Sequence, residues 1–143
     1  MYVLDTVVVS ETRKIRAGRA DPDVASWVVR VEHDLAYISA ITIQELELGV
    51  LLAERRDPAS GTILRTWLDN DVFDAFDQRI LPVDARVARL AASLHVPDPA
   101  PASDALIGAT AIANNMVLVT RNTRDFERFP GLEVLNPWAS TTF

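Results

Sequence analysis

Carboxylates are the plentiful reactive groups of this 143-residue chain, which holds 20 Asp and Glu, two His and no Cys. The lack of Cys removes thiolate metal sites and cysteine nucleophiles. His33 and His95 stand singly, neither beside a second metal-ligand type at a recognised spacing. The five glycines build no phosphate loop, and no Gly-x-Ser-x-Gly elbow occurs. What stands out is the placement of four acids. Asp5 closes the apolar run Tyr2–Leu4, and Glu45 lies six residues past the run Leu35–Ser39, in the first turn of the following helix. Asp104 sits in the first turn of an Ala-rich helix, and Asp125 lies five residues past the run Met116–Thr120.

If these acids meet, they need a cation, because like charges about 4 Å apart cost roughly 4 kcal/mol at an effective dielectric of 20. Oxygen-only donors select a hard ion, Mg²⁺ or Mn²⁺, and such a site activates water for attack on phosphodiesters. Each acid has a plainer reading beside this one. Glu45 stands three after Thr42 at capping-box spacing, Asp125 three after Asn122, and Asp104 in a first turn that favours acids through the helix dipole. Asp5 has less of one, since it is followed by Val7, Val8 and Val9 and placed in a nearly dry setting.

The elements that must position these groups alternate short apolar runs with helical patterns. A polar, basic segment with helix formers runs from Asp5 to Arg16, and Ala17-Gly18 stops it. Asp21-Pro22-Asp23 opens a helix to about Val31, with Val24, Trp27, Val28 and Val31 on one face. Thr42-Ile-Gln-Glu45 starts a helix carrying Leu46, Leu48, Leu51 and Leu52 and ending near Asp57-Pro58. Further helices cover Gly61 to about Phe76, Asp84 to about Leu94, Ala105–Asn114 and Asp125–Phe129, and Arg79–Val83 and Leu132–Leu135 are extended. Pro97-Asp-Pro-Ala-Pro101 forms a stiff approach to Ser103-Asp104. About five strands separated by helices predict a three-layer α/β/α domain with a central parallel sheet, one domain over residues 1–143. In such sheets ligands bind beyond the carboxyl ends of the strands, where the four acids stand.

Composition narrows the class further. With 49% hydrophobic and 24% charged residues the chain is an ordinary globular protein. Met1-Tyr2-Val3-Leu4-Asp5 is no signal peptide and no run is long enough to span a bilayer, so the expected location is the cytoplasm, with no membrane partner. The net charge of −6 argues against a protein that coats nucleic acid. Thirteen of the fourteen basic residues are arginine, which suits bidentate phosphate contacts. The run Arg13, Lys14, Arg16, Arg19 follows Asp5, and Arg121 and Arg124 flank Asn122, so Arg13, Lys14, Arg121 and Arg124 are the candidate residues for binding a phosphodiester backbone. Trp27, Trp67 and Trp138 are too scattered to form base-stacking platforms.

The segments Val3-Leu-Asp-Thr6 with Val8-Val9-Ser10, Ile41-Thr-Ile-Gln-Glu-Leu-Glu-Leu-Gly49, Ser103-Asp-Ala-Leu-Ile-Gly-Ala109 and Leu118-Val-Thr-Arg-Asn-Thr-Arg-Asp-Phe126 resemble PIN-domain ribonucleases, above all the VapC and FitB-type toxins of toxin–antitoxin pairs. The resemblance covers essentially the whole chain. It implies that Asp5, Glu45, Asp104 and Asp125 are catalytic metal-binding acids, with Asp5 and Asp104 as direct ligands, and that Thr120 and Asn122 support the last acid by hydrogen bonding. It also implies Mg²⁺ or Mn²⁺, an RNA substrate, a homodimer and a cognate antitoxin.

The chain departs from the family at Val7, where the opening motif carries Asn. Valine can neither donate nor accept, but being β-branched it would extend the first strand comfortably. The expected consequence is a weakened nuclease, about 10–100-fold if the lost amide supports a ligand, with about 1–3 kcal/mol of destabilisation if a buried partner is left unpaired. The alternative is a PIN-like protein- or RNA-binding module with little catalysis. Phosphoaspartate chemistry does not fit: its hydrolases want a second Asp at position 7, and its receiver domains a late lysine, whereas the one lysine here is Lys14.

Overall fold

The apolar runs form a parallel sheet that is covered on both faces. The computed structural model describes residues 1–139, so the last four residues of the expected domain lie outside the described part. The strands are β1 (Tyr2–Leu4), β2 (Ala36–Ser39), β3 (Ile80–Leu81), β4 (Val117–Val119) and β5 (Val134–Leu135), in the order β3-β2-β1-β4-β5. All pairings are parallel, with Val3 level with Tyr37 on one side and Leu118 on the other. The helices are α1 (Thr6–Thr12), α2 (Pro22–Arg30), α3 (Ala40–Arg56), α4 (Pro58–Thr66), α5 (Phe73–Ala75), α6 (Ala85–Ser93), α7 (Ala102–Ala113) and α8 (Thr123–Phe126).

Strand periodicity sorts the core into two layers. Val3 and Leu118 pack with Val87, Ala91, Ile107, Phe126 and Phe129 on the face covered by α6 and α7. Their neighbours Leu4 and Val119 point the other way, to Val8, Val9, Leu46, Val50, Leu68 and Val72. This is the expected three-layer α/β/α arrangement. Because β2 and β3 lie to one side of β1 and β4 and β5 to the other, the strand order reverses between β1 and β4. At such a reversal the loops leaving the two strands diverge, and the crevice at their carboxyl ends is where open α/β sheets bind ligands.

Several boundaries differ from the sequence expectation, each for a physical reason. Asp5 caps α1, its side chain accepting from the Thr6 N–H, so Val7 lies in a helix and does not extend β1. The α3 helix starts at once after β2: Ser39 caps it by accepting from the Ile41 N–H, and the Thr42–Glu45 capping box does not form. Glu45 is therefore in the second turn of α3. The helix expected from Gly61 begins at Pro58, capped by Asp57, and passes through a π-helical turn at Trp67–Val72. Gly61 is required there: a Cβ on it would sit 2.5 Å from the Glu54 Cα, so α3 and α4 approach backbone to backbone.

Candidate metal and active site

The crevice between β1 and β4 is where the acids gather. Asp5, at the end of β1, is 7% exposed and both of its oxygens are bonded. Oδ1 accepts from the Thr6 N–H at 2.8 Å and Oδ2 from the Thr120 hydroxyl at 2.7 Å. Thr120 is the residue after β4, fully buried, and its Oγ1 in turn accepts from the Asn122 N–H at 3.0 Å. One chain of bonds thus spans the switch point and locks the Asp5 carboxylate. Asn122 contributes through its backbone; its side chain makes no capping bond to α8. From α3, Glu45 brings Oε1 to within 2.6 Å of the Thr6 hydroxyl. Asp104 lies in the first turn of α7 and Asp125 in that of α8.

Electrostatics link all four acids. Burial pushes the Asp104 carboxyl up to about 6, and the charges of Asp5, Asp125 and Glu45 push in the same direction. Burial also holds the Asp5 carboxyl above its ordinary value, against the lowering effect of the Thr120 and Thr6 bonds, with Asp125 adding to the rise. A spot where neighbouring acids raise the proton affinity of Asp104 and Asp5 is short of positive charge. No Lys or Arg salt bridge to any of the four occurs among the described residues. The donors are all oxygen and so fit Mg²⁺ or Mn²⁺. They do not form a closed cage: among the described residues no three acids converge tightly enough to enclose an ion by themselves. Mg²⁺ commonly keeps several waters and takes one or two carboxylates, so an open edge is compatible with it.

The structure also places the remaining candidates. Arg121 is exposed and stacks over the Trp138 ring at 5.4 Å, and Arg124 and Asp125 are exposed beside it on α8. Arg13 caps α1 and lies 6.0 Å from the centre of the Trp67 ring. Lys14 pairs with Glu11 at 3.1 Å and is the least available of the four. Glu47, about 200° around α3 from Glu45, is held in a two-pronged pair by Arg65 at 2.8 and 2.5 Å. His95 accepts from the Ala100 N–H at 3.0 Å and pins the proline-rich segment. Val7 packs against the Leu4–Val8 core, and no buried side-chain nitrogen or oxygen among the described residues lacks a partner. The expected cost of an unpaired group beside Val7 is therefore absent.

Two residues that sequence reasoning did not single out belong to the site: Thr6, which touches both Asp5 and Glu45, and Thr42, fully buried against Thr6. The adjacency of Thr6 to Asp5 was a visible signal; its contact with α3 was not.

The PIN domain profile matches residues 2–132. The chain is 36% identical to VapC ribonuclease Y4jK of Sinorhizobium fredii, over 96% of this chain and 98% of that one. It is 33% identical to Toxin FitB of Neisseria gonorrhoeae, over 96% and 99% respectively. Among solved structures, FitAcB from Neisseria gonorrhoeae superposes with a TM-score of 0.86 at 31% identity, covering 96% of this chain and 99% of that one.

Proposed function

The chain belongs to the PIN-domain family, and from that premise we propose that it is a metal-dependent ribonuclease toxin whose activity a cognate antitoxin restrains. The observation that carries this reading is the Asp5 carboxylate, buried and bonded at both oxygens at the switch point, with Asp104 raised to about 6 beside it. Asp5 and Asp104 would hold the ion directly, with Asp125 and Glu45 completing its negative surroundings. When bound, Mg²⁺ or Mn²⁺ supplies Lewis-acid stabilisation of phosphoryl charge and acidifies water.

The protein's own residues do the rest. Thr120 and the Thr6 N–H keep Asp5 in one rotamer, so that its charge stays fixed at the crevice floor. Asp104 would have to be ionised to hold the ion, so affinity for it should fall progressively as pH drops below about 6. Arg121, stacked on Trp138, and Arg124 offer phosphate contacts along the same edge, with Arg13 and Lys14 further along α1. The wider proposal is a cytoplasmic homodimer; Leu48, Leu51 and Leu52, each more than half exposed on α3, give such a dimer apolar surface to cover. No helix among the described residues is long and apolar enough to cross a membrane.

The test is cleavage of RNA by the purified chain with Mg²⁺ or Mn²⁺, with chelator, and with Asp5→Asn or Asp104→Asn. Metal-dependent cleavage lost in both variants supports the proposal. Cleavage that survives chelator or either variant overturns it, and a chain that binds antitoxin but cuts no RNA returns the binding-module reading.

A further inference from the structure

Thr6 holds two acids of the site at once. Its backbone N–H donates to Asp5 Oδ1, while its hydroxyl oxygen lies 2.6 Å from Glu45 Oε1 and 3.1 Å from Thr42 Oγ1. A hydroxyl has one proton to give and two lone pairs to receive. The Thr6 proton goes to the carboxylate, which is the closer partner and the charged one. The contact between the two hydroxyls must then use the proton of Thr42. Thr42 is fully buried in α3 and has no other side-chain partner among the described residues. The order therefore runs from Thr42 to Thr6 to Glu45.

This order has a consequence for geometry. Thr42 and Glu45 are one turn apart on α3, but the bonds between them pass through α1. By filling a lone pair of Thr6, Thr42 sets the rotation of the Thr6 hydroxyl and aims its proton at Glu45. The same device recurs at β4, where the Asn122 N–H fills Thr120 Oγ1 and Thr120 donates to Asp5. Two threonine relays thus fix one acid each, one from either side of the switch point.

We infer that Thr42 is a positioning residue of the metal site, acting through Thr6 to hold one oxygen of Glu45 while the other has no hydrogen bond among the described residues. This rests on reading the four acids as a metal site. A purely structural Thr42 would only pin α3 to α1, and its loss would lower thermal stability without touching metal affinity.

Calorimetric titration of the metal-free chain with Mn²⁺ separates these roles. Thr6→Val should weaken Mn²⁺ binding within the roughly 10–100-fold range typical of groups that orient a ligand, and Thr42→Val by about 10-fold. Thr42→Ser keeps the hydroxyl and should bind within about twofold of the parent. The double variant Thr6→Val with Thr42→Val should bind no more weakly than Thr6→Val alone, because the relay is already cut. Valine keeps the volume of threonine but not its hydrogen bond, so Thr42→Val should still fold, with a metal-free melting temperature lower by only a few degrees. Parental Mn²⁺ affinity in Thr42→Val, or losses that multiply in the double variant, would overturn the relay while leaving the site reading intact. A parent chain that binds no Mn²⁺ overturns both.

Discussion

Replacing Asp104 by Asn should make the metal-free protein more stable at neutral pH while abolishing its response to metal. Asp104 keeps its proton up to about 6 in the fold against 3.8 in an ordinary carboxyl. As pH rises from about 4, the unfolded chain gives up this proton first, so the fold loses stability through the window between the two values and the loss is complete above about 6. A gap of about two pH units is worth roughly 3 kcal/mol, and about half of that survives for a side chain partly open to solvent. Against this, Asn gives up the favourable placement of an acid in the first turn of α7, about 0.5 kcal/mol. The net gain of about 1 kcal/mol corresponds to a melting temperature about 3–4 °C higher at pH 7.5 for a chain of this length, and no gain at pH 4. Differential scanning fluorimetry of parent and variant from pH 4 to 7.5 measures it, and the difference cancels the titrating groups that do not couple to Asp104. Millimolar Mn²⁺ should then raise the parent's melting temperature at pH 7.5 and leave the variant unmoved. A variant that melts below the parent at pH 7.5, or that still responds to Mn²⁺, would refute the argument that Asp104 is a repelled, ion-seeking acid.

Thr120→Val strips Asp5 Oδ2 of its donor and the Asn122 N–H of its acceptor, both at a buried site, and should cost about 1–3 kcal/mol in denaturant unfolding. Because the Thr120 bond lowers the Asp5 carboxyl, the same variant should raise it further, and Mn²⁺ affinity at pH 6 should fall more than at pH 8. Gly61→Ala forces a Cβ onto the Glu54 backbone and should destabilise the α3–α4 pair by about 2–3 kcal/mol, read by urea titration. Val7→Asn should cost about 1 kcal/mol of packing against the Leu4–Val8 core. If an amide at position 7 supports Asp5, RNA cleavage by that variant should nonetheless be about 10–100-fold faster than the parent's; equal rates at equal concentration would show that Val7 weakens nothing.

The alternation of apolar runs and helices made the parallel sheet legible, because only buried parallel strands combine such short β-branched runs with intervening amphipathic stretches. The placement of the candidate acids was legible for a related reason: Asp5 and Thr120 end strands, and strand ends at a switch point lie side by side whatever the loops do. What stayed hidden were contacts made between distant elements. Thr42 and Glu45 have capping-box spacing, yet β2 turns into α3 without a loop, so Ser39 reaches the first free N–H groups and Thr42 is carried inside to meet Thr6, 36 residues away in sequence. Asn122 stands where a side chain could support Asp125, but the tight turn after β4 presents its backbone N–H to Thr120. The π-helical turn at Trp67–Val72 adds a residue to a turn that a 3.6-residue period cannot register.

The net charge of −6, which argued against nucleic acid, is redistributed by the fold. Asp5, Glu45 and Asp125 lie near enough to act on Asp104, and with these four acids set aside the rest of the molecule carries only −2. Several other acids are spent internally: Glu47 and Glu54 on Arg65, Glu11 on Lys14 and the Asp21 N–H, and Asp21, Asp57 and Asp84 on helix caps. The basic side chains nearest the crevice are not cancelled in the same way, since Arg121 rests on an aromatic ring, which leaves its charge and its fork of donors available to a phosphate. Under the proposed function, an RNA would meet little net charge on the rest of the molecule, while an ion bound among the acids and a few arginines would supply the attraction at their edge. On that proposal, affinity would then depend on loading the acids with metal, so that the cluster that would repel RNA without an ion would admit it once loaded.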